Sequence, residues 1–187
     1  MALPLLKLAV MSFLSKIFLG NFLVAVLISA TPCHAITRDE LRNTPQMTPE
    51  KFAGYFTDFK FKFHAEVQDY DVFLASKSGD CDDYATLAAD VLGRNGYTTR
   101  LIAVRMKGET HVVCYINEIK SYLDYNARKD AEKLIPCSNS IMQIARKVAK
   151  SFDRNWIATY QFTYNATEGV KRLVQNIVTN HSSEKTI

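Results

Sequence analysis

The sequence holds little of what marks a non-globular chain. Its 187 residues include 7 Gly and 5 Pro, which excludes collagenous and low-complexity architectures. It has no block of like charge. Lys and Arg number 23 against 19 Asp and Glu, for a formal charge of +4, and nothing here calls for nucleic acid as a partner. There is one long apolar run, which excludes a multi-span membrane protein. Histidine is scarce: of four, His64, His111 and His181 fall outside the first 35 residues and stand without paired ligand spacing, so a zinc site has no support. What is present is a chain 48% hydrophobic and 22% charged, the composition and length of one globular domain after a short leader.

Residues 1–35 read as a secretory signal peptide. Lys7 and Lys16 supply the positive charge, residues 17–30 form the apolar stretch, and Ala35 offers a small residue for cleavage. Met11 gives a more compact alternative start. The competing reading is an uncleaved anchor, but the run contains Asn21 and falls short of the ~20 apolar residues a span needs. Lipidation of Cys33 is disfavoured by the bulky Pro32 before it. The expectation is a secreted or periplasmic domain of residues 36–187, with no membrane span after cleavage. That domain keeps Cys81, Cys114 and Cys137, an odd number. An oxidising compartment permits a Cys114–Cys137 disulfide, and three free thiols are the alternative.

Residues 36–47 look like an unstructured polar leader. Thr48, Pro49 and Glu50 are a helix start, with a hydroxyl cap, proline in the first turn and then an acid. Phe59, Phe61 and Phe63 alternate with Lys60, Lys62 and His64, the period of a half-buried strand, and core packing is the expectation for the aromatics. A short helical turn is expected at 71–76. A helix should then run from Cys81 to Arg94, with Tyr84, Leu87, Ala88, Val91 and Leu92 on one face and Asn95-Gly96 as its left-handed stop. Strands are expected at 98–106, 111–116, 121–126 and 160–164, and helices at 141–152 and 167–178. This order predicts an α+β fold, a helix packed on an antiparallel β-sheet.

The chemistry concentrates on three residues. Cys81 opens a helix, where free backbone N–H groups stabilise a thiolate and can also hold an oxyanion. His111 starts a strand and Asp124 lies in the next. A four-residue turn at 117–120 pairs 116 with 121, which puts His111, Val113, Asp124 and Asn126 on one face and gives Cys114 the opposite parity. A Cys81–His111–Asp124 triad follows, with Asn126 as an alternative orienter of the ring. Asp80, Asp82 and Asp83 disfavour the thiolate but favour the helix start, and the same acids are candidate calcium donors. Otherwise no cofactor is expected.

The stretch Ser78-Gly79-Asp80-Cys81-Asp82-Asp83-Tyr84-Ala85 resembles the nucleophile motif of the bacterial transglutaminase-like cysteine peptidase superfamily. Thr110-His111-Val112-Val113 and Tyr122-Leu123-Asp124-Tyr125-Asn126 resemble its later His and Asp strands, so the resemblance covers about residues 75–127. It implies a papain/transglutaminase-like core and a thiol-dependent amide hydrolase that acts on a protein or peptide carbonyl. A protein-glutamine transamidase or a non-catalytic peptide-binding relative are the alternatives. It also implies an upstream side chain as a second oxyanion donor. Gln68 is the polar candidate, since the single Trp156 lies downstream. Specificity would have to come from the segment before Cys81 and from the last 50 residues, including Tyr160, Phe162 and Tyr164.

Overall fold

A computed structural model describes residues 35–175 and 178–179. The expected signal segment, with Cys33, and the tail with His181 lie outside the described residues. The elements are α1 (Arg38–Asn43), α2 (Pro49–Gly54), β1 (Lys60–Phe61), α3 (Tyr70–Ser76), β2 (Ser78–Gly79), α4 (Cys81–Arg94), β3 (Thr99–Met106), β4 (Glu109–Ile116) and β5 (Ser121–Leu123). After a 3-10 turn at Tyr125–Lys129 come β6 (Leu134–Pro136), α5 (Ile141–Ser151), β7 (Trp156–Asn165), β8 (Val170–Leu173) and β9 (Val178–Thr179).

Mixed helix and antiparallel sheet is what the order of elements predicted. The main sheet runs β6-β5-β4-β3-β7-β8, with β9 on the same side of β7 as β8. Its central strands are covered on both faces, which is why they read as nearly continuous apolar runs. Leu101, Ala103, Val112, Cys114, Ile116 and Leu123 pack under α4. Ile102, Val104, Met106, Val113, Tyr115 and Tyr122 pack under α5 through Ile144, Ala145 and Val148. Cys114 and Cys137 therefore belong to opposite layers. The disulfide reading is set aside, and Cys81, Cys114 and Cys137 are free thiols.

The α4 helix forms where the apolar face and caps predicted it. Asp80 and Asp83 make a reciprocal capping box at its start, and Gly96 takes φ +88° beyond its end. The β4–β5 register is the expected one, with Ile116 opposite Ser121 and Cys114 opposite Leu123. Strand β5, however, stops at Leu123 rather than reaching Asn126. The Asp124 carboxylate accepts the Asn126 N–H at 2.8 Å and turns the chain into the 3-10 segment.

Three expectations fail. Residues 36–47 are not a loose leader: Thr37 and Glu40 form a capping box for α1, Leu41 and Met47 are buried, and Arg38 and Arg42 both grip Asp90 of α4. The expected helix at 167–178 is instead the β8 hairpin and β9. Asn165 Oδ1 accepts the Thr167 N–H at 3.0 Å and Gly169 takes φ +66°, a turn that returns Val170–Leu173 along β7. The alternating aromatics do not all enter the core. Phe59 is buried, whereas Phe61 and Phe63 are 61% and 75% exposed.

Candidate active site

The approach to Cys81 is tightly built. Strand β2 pairs in parallel with β1, Lys60 opposite Ser78 and Phe61 opposite Gly79, and delivers the chain into Asp80. A Cβ on Gly79 would stand 2.5 Å from the Asp83 carboxylate and 2.6 Å from the Phe73 ring, so only glycine fits there. Beneath lie Phe52, Phe56, Phe59, Phe73, Tyr84 and Tyr125. Their rings contact one another at centroid distances such as 5.0 Å for Phe56–Tyr84 and 5.5 Å for Tyr84–Tyr125. Cys81 itself is half-buried, at the first position of a fourteen-residue helix.

His111 and Asp124 come together as the hairpin arithmetic required. His111 Nε2 and Asp124 Oδ1 are 2.8 Å apart, with exposures of 3% and 2%. Cys81 stands close enough to the same imidazole to favour its charged form, and the ring meets Phe152 edge-on at 4.8 Å. Burial alone would depress the basicity of this ring. The bond to Asp124 and the neighbouring Cys81 outweigh it, and the His111 pKa is pushed up to about 10. The surroundings of His111, an acid and a thiol, thus favour its charged form. Cys114, three residues along the same strand, differs in every respect. It is sealed under α4, and burial drives its thiol well above the ordinary range.

The acids beside Cys81 are spent on structure. Asp83 accepts the Gln68 N–H at 2.7 Å, the Gln68 side-chain amide at 2.7 Å and the Asp80 N–H at 3.0 Å. Asp80 accepts the His64 and Asp82 N–H groups, and Asp82 pairs with Lys171 at 2.7 Å. Burial first, and its contact with Asp82 second, push the Asp80 carboxyl up to about 7, which reduces its opposition to a thiolate. Carboxylate oxygens of the three acids lie within 4.8 Å of one another. Of their oxygens only Asp82 Oδ1 lacks a hydrogen-bond partner; the others serve the helix cap and Lys171.

Gln68 is not the oxyanion donor expected from sequence. Both hydrogens of its amide are committed, to Ser78 O at 3.1 Å and to Asp83, so it braces the helix cap instead. The first-turn amide of α4 left for an oxyanion is that of Cys81, since those of Asp82 and Asp83 donate to the Asp80 carboxylate. Asn126 does not orient the ring, since Asp124 does, but it lines the same cavity.

Cys81 and His111 share a cavity of about 490 Å³. Phe61, Phe63 and His64 line it from the segment before Cys81, and Tyr160, Phe162 and Lys171 from β7 and β8. Those are the two regions from which specificity was expected, although Tyr164 lies elsewhere, in a cavity with Arg38 and Asp90. Lys171 escaped sequence reasoning because its strand was read as a helix. Phe61 and Phe63 escaped because aromatics at strand period are ordinarily core. Comparison of the chain with protein-family models and with curated proteins finds no match.

Proposed function

We propose that this protein is a secreted, thiol-dependent amide hydrolase on a papain/transglutaminase-like core. The observation that carries the reading is the buried 2.8 Å contact between His111 Nε2 and Asp124 Oδ1, with Cys81 lining the same cavity as that imidazole. In this reading the Cys81 thiolate attacks a peptide or carboxamide carbonyl, and the Cys81 N–H at the start of α4 stabilises the oxyanion. His111 hands its proton to the departing amine, Asp124 holds the ring, and water releases the acyl group from sulfur with His111 now as base. Among the described residues no helix is long and apolar enough to cross a membrane.

The test is alkylation of the full chain by iodoacetamide against pH, with peptide mapping to separate Cys81 from Cys114 and Cys137. Cys81 should label fast well below the free-thiol pKa of ~8.5, and His111→Ala should remove that rate. An ordinary thiol profile at Cys81, indifferent to His111, would overturn the reading and favour a non-catalytic peptide-binding domain.

A further inference from the structure

Phe61 and Phe63 are the only phenylalanines among the large apolar side chains exposed in the described residues. The others, such as Val72, Ile119, Met142 and Leu173, are aliphatic. Both phenyls line the cavity that holds Cys81. Their exposure is imposed by the backbone. Lys60 N–H donates to Lys77 O at 2.9 Å, Lys62 N–H to Gly79 O at 2.8 Å and His64 N–H to the Asp80 carboxylate at 2.8 Å. Three alternate amides are thus fixed to the strand and cap that lead into Cys81. Residues 61 and 63 then share the other phase of the extended segment and border the nucleophile. Apolar surface left open beside a reactive group, with a few polar partners, is the ordinary form of a ligand subsite.

The cavity's charges point the same way. Lys171 is paired with Asp82, and Glu109 with Arg154 at 3.0 Å, so neither pair offers an uncompensated charge to a ligand. Tyr160 and Phe162 add aromatic surface to the lining. Resting on the hydrolase reading above, we propose that Phe61 and Phe63 form an apolar substrate subsite. The preferred substrates are then peptide amides with a large apolar side chain next to the attacked carbonyl, rather than glycine-like or charged ones.

The test uses the full chain and two N-acyl dipeptidyl chloromethyl ketones, one ending in Phe and one in Gly, with iodoacetamide as a size-neutral reference. In each case the Cys81 sulfur displaces halide and a thioether is read by mass spectrometry. The Phe probe should label Cys81 about tenfold faster than the Gly probe after normalisation. In the Phe61→Ser/Phe63→Ser variant the two probes should agree within about twofold, with iodoacetamide labelling at the wild-type rate. Equal rates for both probes at a fast-labelling Cys81, or a preference that survives the double variant, overturns the subsite and leaves the hydrolase reading standing. An iodoacetamide rate typical of an unactivated thiol removes that reading and the subsite with it. A change from dimer to monomer in the double variant, by sedimentation, would assign the phenyls to a contact between copies and also overturn the proposal.

Discussion

The floor and the rim of the Cys81 cavity are made on opposite terms. On the floor, His111 and Asp124 are almost wholly buried, and Asp83 accepts three N–H groups from Gln68 and Asp80. On the rim, Phe61 and Phe63 are positioned through hydrogen bonds to the backbone on either side of them, and their side chains stand open. The floor is a network in which removing one member leaves another buried and unsatisfied, a cost that falls on the fold as well as the chemistry. The rim can change its side chains with little consequence for the fold. Reactivity and selectivity are thereby separable in this molecule.

The largest expected effect comes from breaking the floor at its charge. Asp124→Asn keeps an oxygen for the Asn126 N–H and so spares the turn, but it removes the carboxylate that raises His111. Iodoacetamide labelling of Cys81 near pH 7 should fall roughly 10²-fold or more, and its rise should move towards ~8.5. The sign for stability follows from the same group. His111 is raised from 6.5 to about 10, so its contribution is complete below 6.5 and is lost as pH climbs towards 10. In the variant that slope should shrink, as read by urea melts across this range.

Gly79→Ala should cost about 1–3 kcal/mol, because the new methyl meets Asp83 and Phe73. Melting of the variant beside the wild type checks it. Gln68→Ala should cost about 1–2 kcal/mol by leaving Asp83 short of donors, as read by urea melts. The finest adjustment is Asp80→Asn, which keeps one oxygen for the helix cap and gives up the acceptor of the His64 N–H. Above pH 7 the wild-type carboxylate is charged and opposes the thiolate, and below 7 it is not. The variant should therefore label Cys81 roughly two- to fivefold faster above pH 7 and converge with the wild type below it.

Much of the floor was legible because it depends on local rules. The Asp80 cap, the α4 apolar face and the four-residue turn at 117–120 each carry their own signal, and together they fix where His111 and Asp124 meet. The short strand pair was half legible. Alternation over 59–64 marked Lys60–Phe61 as extended, but Ser78–Gly79 is two residues, too brief for any period, and exists because it hydrogen-bonds β1. The 170–173 strand shows helical spacing in sequence, yet Asn165 and Gly169 turn it back onto β7, and pairing with a long neighbour overrides local preference. Gln68 was found by its chemistry and misassigned by its partners, since only the fold reveals that both amide hydrogens are committed. The exposure of Phe61 and Phe63 could not be read at all: alternation says which residues share a face, not whether that face is covered.

The alternate amides of residues 60, 62 and 64 have a mechanical consequence. They rivet the rim to the three residues that precede and cap the nucleophile, so the phenyls and Cys81 belong to one stiff lever. A ligand that seats against Phe63 and pulls on its backbone must load the Asp80 cap directly. Occupancy of the rim should then be felt as slower amide exchange at His64 and Asp82, where the Asp80 carboxylate is the common anchor.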